Sequence, residues 1–426
     1  MPSNAYLRTP APMSTAPRES SHLAAGTAAY RRANFAMFVG GFATFCLLYG
    51  PQPLLPLFSA YFGVAPASAS LSVSVATAAL ALMLVPASLL SDRFGRARLM
   101  KCSLAGSAFF ALLMPLVEDF QQLLVLRTLL GISIAGLPAA AMAWLGEEIA
   151  PDARGRAMGL YIAGNALGGM SGRFIAALVT EWSDWQSAFL VLGLIGLAAA
   201  LLFWKCVPAS RHFQPRSMQP AALVADLGRM FRDPGLPVLF LSSFLLMGAF
   251  VGLYNYLGFR LEAAPFELGQ SAIGAIFLLY VLGTWASAWS GRLVDRIGRR
   301  QVLWIMVAVM GLGLGLTVPE SLPAVMGGVA LFTFGFFGAH ATASGWVGAR
   351  AGERRALAAA LYLTGYYLGA SIPGSLAGLA WSWGRWPGVS LAVGACVLAV
   401  FGLALYLRRL EAVVVARERG CSSDPR

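Results

Sequence analysis

Residues 91–96, with the sequence Ser-Asp-Arg-Phe-Gly-Arg, separate two long apolar runs, and residues 294–300, with the sequence Val-Asp-Arg-Ile-Gly-Arg-Arg, separate two others. The second stretch follows the first by about 200 residues, and further residues repeat at nearly the same offset across four apolar runs. Such a repeat indicates two similar halves, each a bundle of six helices, related by an axis along the membrane normal. The pairs at offsets of 201 or 202 residues include Gly136/Gly338, Trp144/Trp346, Gly146/Gly348, Arg154/Arg355, Tyr161/Tyr362 and Gly164/Gly365.

The composition indicates a membrane protein. Of the 426 residues, 58% are hydrophobic and 12% are charged, whereas soluble domains carry roughly 25% charged residues. Apolar runs of about 18 or more residues recur along the chain, and each can cross a hydrocarbon core of ~30 Å as a helix. A membrane barrel would instead show shorter segments of alternating polarity. The sequence therefore predicts an all-α membrane protein of twelve transmembrane helices, over about 33–58, 68–90, 98–117, 121–146, 156–180, 186–206, 236–259, 271–293, 301–319, 322–348, 356–381 and 387–407.

The distribution of charge predicts the orientation in the membrane. The formal net charge is +12, and 27 of the 31 Lys and Arg residues fall on one side of the predicted helices. Because cytoplasmic loops are enriched in Lys and Arg, we expect both termini and the middle loop in the cytoplasm and the protein in the cell inner membrane. Basic charge arranged in alternate loops is an orientation signal, so no nucleic acid is expected as a partner. The opposite loops carry Glu118, Asp119, Glu181, Asp184, Glu262, Glu267 and Glu320.

Five segments follow from this pattern. Residues 1–30 have no apolar stretch of signal-peptide length, so we expect a disordered cytoplasmic tail. Residues 31–206 and 235–408 are expected to form two six-helix bundles, joined by a cytoplasmic linker over residues 207–234 and followed by a cytoplasmic tail over residues 409–426. The five cysteines fit no metal or redox spacing, and the chain has no phosphate-binding loop or catalytic motif. We expect a monomer in the lipid bilayer, without cofactor, metal or enzymatic activity.

The repeated stretch resembles a family signature. Residues 88–96 and 291–300 are similar to the G-x-L-x-D-R-x-G-R-R/K motif of the major facilitator superfamily, with Ser88 in place of glycine in the first copy. Arg127, followed by Gly131, is similar to a pair that the family carries in its fourth helix. Residues 147–173 and 254–256 are similar to the YnfM-like inner-membrane transport proteins. The resemblance covers about residues 30–410 and implies the twelve-helix fold of that superfamily.

The same resemblance implies a secondary active transporter that moves a small molecule by alternating access between its two halves. Efflux driven by a proton gradient, as in the antiporters of the superfamily, is the expected direction. One departure is that the Gly-Pro pair found in the fifth helix of many antiporters is replaced by Gly-Gly-Met-Ser-Gly at residues 168–172. The alternatives are an uptake carrier or facilitator for a small organic anion, and a membrane sensor or scaffold that transports nothing.

The charged motif between the apolar runs is the candidate cytoplasmic gate. A carboxylate near a helix end interacts with the helix dipole, and the family resemblance implies that these loops pair with neighbouring helix ends and hold the cytoplasmic side closed. The alternative is a topology determinant whose charges are solvated. The residues concerned are Asp92, Arg93, Gly95 and Arg96 in the first copy and Asp295, Arg296, Gly298 and Arg299 in the second.

Two arginines lie inside apolar runs, whose interiors contain no Asp or Glu. Arg127 and Arg173 each lie about six residues from the outer end of their predicted helix, so both are expected to face one cavity in the outer leaflet. Ionisable residues within a membrane are costly and usually functional, and the missing carboxylate predicts an anionic substrate. The alternative is that both side chains bind backbone carbonyls or reach towards Glu118, Asp119 or Glu181.

The remaining candidates are polar side chains within apolar runs. His340 could take up and release a proton near neutral pH, which would couple transport to protons. The alternative is that it packs with satisfied hydrogen bonds, as tyrosines and amides between membrane helices also do. The further candidates for a substrate cavity are Gln52, Asn165, Tyr254, Asn255, Tyr256, Tyr362 and Tyr366.

Overall fold

A computed structural model describes residues 22–213 and 220–421. Within these residues, eleven continuous helical runs are long and apolar enough to span a membrane, and the last of them contains two helices. Its backbone leaves helical geometry at Gly384 and Arg385, just before Pro387, so the chain has twelve spans and the predicted all-α fold is confirmed. Spans 1 to 10 are Ala28–Tyr61, Pro66–Phe94, Arg96–Leu116, Phe120–Glu148, Arg154–Trp182, Trp185–Cys206, Leu236–Glu262, Gln270–Ile297, Arg299–Leu316 and Leu322–Ala351; spans 11 and 12 are 355–383 and 386–410.

The repeated motif joins span 2 to span 3 and span 8 to span 9. In each copy the turn between the two helices is a single glycine, Gly95 with φ of 98° and Gly298 with φ of 82°. Residues with a side chain rarely adopt positive φ, whereas glycine does so at no steric cost. The glycine of the motif therefore sets the direction in which the second helix leaves the first.

Glycines also let span 5 pack tightly on span 1 and span 11 on span 7. A Cβ atom at Gly164 or Gly168 would collide with the backbone of Phe38 or Phe42 in span 1. In the second half, a Cβ atom at Gly369 would collide with the carbonyl of Phe244 in span 7. Each half therefore contains the same close contact between its first and fifth helices, which small residues permit in membrane proteins.

We call the side with Gly95 and Gly298 the basic end, and the side with Glu118, Glu181 and Glu262 the acidic end. Among the described residues, each hydrogen bond between the two halves lies towards the acidic end. Towards the basic end, residues of spans 1 and 5 in the first half line a cavity of about 800 Å³, and residues of spans 8 to 10 in the second half line another of about 390 Å³. The hydrogen-bonded pairs between the halves are Gln52–Asn255, Ser70–Ser375, Ser74–Ser375, Thr77–Ser371 and Glu181–Ser271.

The predicted tails and linker have structure in the part of the chain that is described. Within the predicted tail 1–30, residues 1–21 lie outside the described residues, Leu23 bridges to Ile149, and span 1 begins at Ala28. The linker contains the helix Pro220–Arg232, and residues 214–219 lie outside the described residues. The last helix continues through the predicted tail 409–426 as far as Cys421, with residues 422–426 outside the described range.

Candidate functional site

Span 1 is interrupted where the two halves meet. Its first helix ends at Tyr49, a single 3-10 turn covers Gln52–Leu54, and a second helix begins at Leu55. Pro51 and Pro53 cause the break, because a proline has no N–H to donate to the carbonyl four residues before it. Interrupted helices are typical of transporter binding sites, and this break, towards the acidic end of span 1, brings Gln52 into the contact between the halves.

Gln52 is the middle of a buried hydrogen-bond chain that crosses from one half to the other. Arg173 Nε in span 5 donates to Gln52 Oε1 at 2.6 Å, and Gln52 Nε2 donates to Asn255 Oδ1 in span 7 at 2.7 Å. Asn255 Nδ2 faces the carbonyl of Gly374 in span 11 at 3.5 Å. A guanidinium has only donors, so Gln52 must present its oxygen to Arg173, and this fixes the orientation of both amides.

Arg173 is enclosed by aromatic rings. Its guanidinium carbon lies 4.4 Å from the ring centre of Tyr49, 5.0 Å from that of Tyr280 and 5.2 Å from that of Phe277, and its side chain is 2% exposed. Its Nη1 donates to the carbonyl of Gly169 at 2.6 Å. Each ring face stabilises a desolvated cation by about 0.5–2 kcal/mol, but a ring does not neutralise the charge. Among the described residues, Arg173 forms no ion pair with a carboxylate.

Two tyrosine hydroxyls of this aromatic cage are buried without a hydrogen-bond partner in the described structure. They belong to Tyr49 and Tyr280, whose rings both face Arg173. A buried hydroxyl without a partner is rare and calls for an explanation such as a bound ligand. The guanidinium of Arg173 and the two free hydroxyl donors together could bind an anionic group.

Arg127 lies in a different environment. It is fully buried, and its guanidinium donates to the carbonyls of Ser72 at 2.6 Å and Leu47 at 2.8 Å, and also to that of Leu48. The carbonyl of Leu47 has no helical donor of its own, because the residue four positions later is Pro51. Arg127 therefore closes the end of the interrupted helix in span 1. Its contacts match the carbonyl-binding alternative of the sequence analysis, and the structure does not bring it into one cavity with Arg173.

His340 belongs to a second polar group on spans 10 and 11. Its Nδ1 lies 3.1 Å from the hydroxyl of Tyr362, and its ring centre lies 4.8 Å from that of Tyr366. A row of aromatic rings connects this group with the cage around Arg173. The ring contacts along that row are Tyr280–Phe250 at 5.4 Å, Phe250–Phe336 at 3.9 Å and Phe336–His340 at 5.9 Å.

The other candidate polar residues are dispersed around this row. The Tyr254 hydroxyl shares a hydrogen bond of 2.7 Å with Thr333, inside the second half. The Tyr256 hydroxyl donates to the carbonyl of Ser375 at 3.2 Å, beside the contact with span 2. The carboxamide oxygen of Asn165 is buried against Gly41 in span 1 and has no partner in the described structure.

The two copies of the charged motif have different partners. In the first copy, Arg96 binds Asp92 at 3.1 Å and both carboxylate oxygens of Glu147 at 2.6 and 2.7 Å. In the second copy, Asp295 is exposed, lines the cavity at the basic end together with Arg299, and forms no ion pair with the described residues. Arg93 is exposed beside the ring of Phe94, and Arg296 is exposed as well.

Sequence reasoning missed several residues that complete the site. The rings of Tyr49, Phe277 and Tyr280 carry no signal of their own, because an aromatic residue in an apolar run is usually core. The hydroxyls of span 2 could have been found, since they recur at spacings of four and three along one helix face and meet span 11 across the halves. They are Ser70, Ser74 and Thr77.

Known proteins resemble this chain over most of its length. The chain is 41% identical to the inner membrane transport protein YnfM of Escherichia coli (strain K12), over 91% of this chain and 93% of that one. It is also 41% identical to the uncharacterized MFS-type transporter YybF of Bacillus subtilis (strain 168), over 91% and 96% of the two chains. Among solved structures, the fold is similar to that of a bacterial homolog to the human lysosomal transporter Spinster, in an inward-facing and unoccupied conformation. That match has a TM-score of 0.73 and 14% identity, over 89% of this chain and 95% of the other.

The family model of the Major Facilitator Superfamily matches residues 37–289, which is more than half of the chain. Relatives at this identity, over nearly the whole of both chains, are transport proteins and not enzymes. The twelve spans and the two similar bundles agree with the match. The chain belongs to the Major Facilitator Superfamily and is a multi-pass membrane transporter.

Proposed function

We propose that this transporter moves a small organic anion across the cell inner membrane by alternating access, and that Arg173 binds the anion. The observation that carries the proposal is a buried guanidinium at the contact between the halves, with two unpartnered tyrosine hydroxyls and no carboxylate beside it in the described structure. A buried charge without a counter-ion costs several kcal/mol. A carboxylate or phosphate from the substrate would supply that counter-ion.

The proposed orientation has the basic end and both termini in the cytoplasm, as the arginine-rich loops favour. The acidic end then faces outward. Hydrogen bonds between the halves lie at the acidic end, whereas cavities are found at the basic end of each half, and this supports access to the site from the cytoplasm. Loading from the cytoplasm is the first step of an efflux cycle.

We propose proton-driven efflux as the mode of transport, with uptake of the same anion as the alternative. His340 is the candidate proton site, with Tyr362 as its hydrogen-bond partner, because the two lie at one end of the aromatic row that leads to Arg173. A carbonyl-bound Arg127 favours Arg173 as the anion-binding residue, since the donors of Arg127 are directed at the backbone of spans 1 and 2. We propose a monomer as the working unit.

The test is a binding and transport panel with the purified full chain in proteoliposomes. Benzoate, benzamide and benzylammonium share one aromatic ring and are an anion, a neutral compound and a cation. Succinate and inorganic phosphate are included as further anions. We expect the anions to bind and the cation not to bind. Truncating one partner of a buried charge pair costs about 2–5 kcal/mol, so Arg173→Ala should weaken anion binding by a factor of about 30 or more. Arg173→Lys should weaken it less, because Lys keeps the charge and loses the paired hydrogen bonds.

Arg127→Lys is the matched control, since it changes the other buried arginine in the same way. We expect it to lower thermal stability while the preference among anion, neutral compound and cation stays the same. Imposing a pH gradient of either sign on the same vesicles separates proton-driven efflux from uptake. A preference for benzylammonium that Arg173→Lys leaves unchanged would refute the proposed anion site.

A further inference from the structure

A buried chain of hydrogen bonds at the acidic end joins Arg173, the proposed anion-binding residue, directly to the contact between the halves. Arg173 and Gln52 belong to the first half and Asn255 and Gly374 to the second. The side chains of Arg173, Gln52 and Asn255 are each no more than 2% exposed. Hydrogen bonds in such a water-free place are costly to break without a replacement partner, so this chain helps to hold the acidic end closed.

The other contacts between the halves at that end do not involve the proposed anion site. Ser70, Ser74 and Thr77 bind hydroxyls of span 11, and Glu181 accepts a hydrogen bond of 3.0 Å from the N–H of Ser271 at the start of span 8. These contacts can hold the halves together, but a ligand at Arg173 would not reach them through a hydrogen bond of the described structure. Phe277 and Tyr280 of span 8 contact Arg173 through their ring faces, whereas Gln52 joins Arg173 to the opposite half through hydrogen bonds.

We propose that Gln52 is a switch: an anion that binds Arg173 displaces the Gln52 carboxamide oxygen, and the released amide no longer holds Asn255, so the acidic end opens. The inference deepens the proposed function and rests on it for the charge of the ligand. A carboxylate that binds a guanidinium side-on uses the Nε edge, and Gln52 occupies Nε. A carboxylate can accept two parallel hydrogen bonds from the guanidinium and also neutralises its charge, which the single oxygen of the amide does not, so an anion would outcompete the amide.

The order of donors and acceptors in this hydrogen-bond chain explains why displacing one bond affects the next. Arg173 can only donate, so its bond to Gln52 Oε1 forces Gln52 Nε2 towards Asn255 Oδ1. When the anion takes Nε, nothing fixes the amide of Gln52 in that orientation. Anion binding then weakens the hydrogen bond between Gln52 and Asn255, which links the proposed site to the opposite half, and a ligand that favours one state in this way shifts a two-state equilibrium.

The test measures how fast a buried thiol at the acidic end reacts. The reporter is Ser74→Cys, because Ser74 is 3% exposed in the contact between spans 2 and 11. The purified full chain in detergent is labelled with a maleimide, in a background whose five native cysteines are replaced. We expect Gln52→Leu and Asn255→Leu each to raise the labelling rate about three- to tenfold without any ligand, the factor for one net buried hydrogen bond.

Thr333→Val is the control, since it removes a buried hydrogen bond to Tyr254 that stays within the second half. It should leave the labelling rate unchanged. Benzoate at saturating concentration should raise the rate in the parent and not in Gln52→Leu. Equal rates in the parent, Gln52→Leu and Asn255→Leu would overturn the switch.

The failures of the two proposals can be told apart. Benzoate that binds in the transport panel and leaves the labelling rate of the parent unchanged would overturn the switch while the anion site stands. If no anion of the panel binds, the proposed substrate class and the anion switch both fail. The labelling rates of Gln52→Leu and Asn255→Leu without ligand would then still decide whether the hydrogen-bond chain holds the acidic end closed.

Discussion

Each half of the transporter uses one buried arginine to close a helix end, but at very different depths. Arg127 of the first half binds the carbonyls of Leu47 and Leu48 at a break inside span 1. Arg260 of the second half binds the carbonyls at the end of span 9, with hydrogen bonds of 3.0 Å to Val318 and 2.9 Å to Pro319. A cation at the C-terminal end of a helix also interacts favourably with the helix dipole. The difference is that Val318 and Pro319 are exposed, so water can replace Arg260 there, although Arg260 also binds the buried carbonyl of Thr317. Water has no access to the fully buried Arg127.

The charged motif shows a second difference between the halves. In the first half the partner of Arg96 is Glu147, at the basic end of span 4. In the second half the basic end of span 10 carries Arg350, and its carboxylate comes from outside the bundle: Asp233 of the linker binds it at 2.5 Å. Nearly identical motifs therefore stand in different ion-pair networks. Span 4 supplies a carboxylate to the motif of the first half, whereas in the second half the linker supplies a carboxylate to span 10.

The arginine comparison predicts the largest effect. Arg127→Ala should lower the free energy of unfolding by several kcal/mol, at about 1–3 kcal/mol for each buried carbonyl left without a partner. Arg260→Ala should cost only about 1 kcal/mol, because Val318 and Pro319 are exposed and water can bind their carbonyls, and the buried Thr317 carbonyl, which Arg260 also binds, keeps the hydrogen bond from Trp386 Nε1. Thermal unfolding of the detergent-purified variants, followed by tryptophan fluorescence, measures both. Equal losses of stability would show that depth does not distinguish the two arginines.

Much of the fold could be predicted from the sequence, because apolar length and basic loops are local signals. The twelve spans and the repeat needed no knowledge of contacts. The site was harder. Gln52, Asn255 and Arg173 were predicted as separate candidates, and only the break at Pro51 and the packing of spans 1, 5 and 7 bring them together. Pro51 marks the carbonyl of Leu47 as one without a helical donor, but only the packing of span 4 against spans 1 and 2 shows that Arg127 is the side chain that binds it.

The motif comparison predicts an effect of intermediate size. Glu147→Gln removes a charge from the network of Arg96, which is 8% exposed at its side chain. It should lower the free energy of unfolding by about 1.5–3 kcal/mol, the usual contribution of a hydrogen bond to a charged group. Asp295→Asn should leave stability nearly unchanged, because Asp295 is exposed. If the second motif acts as a gate, Asp295→Asn should nevertheless slow transport. A stability loss in Asp295→Asn as large as in Glu147→Gln would mean that the two copies are equivalent after all.

The linker comparison predicts the smallest effect and a dependence on pH. Partial burial favours the protonated form of Asp233, but hydrogen bonds from Arg350 and from the N–H groups of Leu236 and Gly235, with the charge of Arg350, outweigh it. The pKa of Asp233 therefore lies below its usual value. An aspartate with a depressed pKa in the folded state stabilises the protein above its unfolded pKa, near 3.9, and loses that contribution as pH falls through the folded value.

Asp233→Asn isolates this charge, because Asn can still accept the N–H groups of Gly235 and Leu236 at the start of span 7. We expect the variant to unfold roughly 1–3 °C below the parent at pH 7, for a loss of about 0.5–1 kcal/mol. The difference in unfolding temperature should shrink as pH falls below about 4, where Asp233 of the parent becomes protonated first in the unfolded chain and then in the folded one.

Asp184→Asn is the matched control, since Asp184 caps span 6 through hydrogen bonds from Ser187, which hold its pKa low without a guanidinium. If the linker serves the second half as span 4 serves the first, Asp233→Asn must cost more than Asp184→Asn at pH 7. An equal loss of stability in both variants would show that Asp233 acts only as a helix cap and that its ion pair with Arg350 adds nothing.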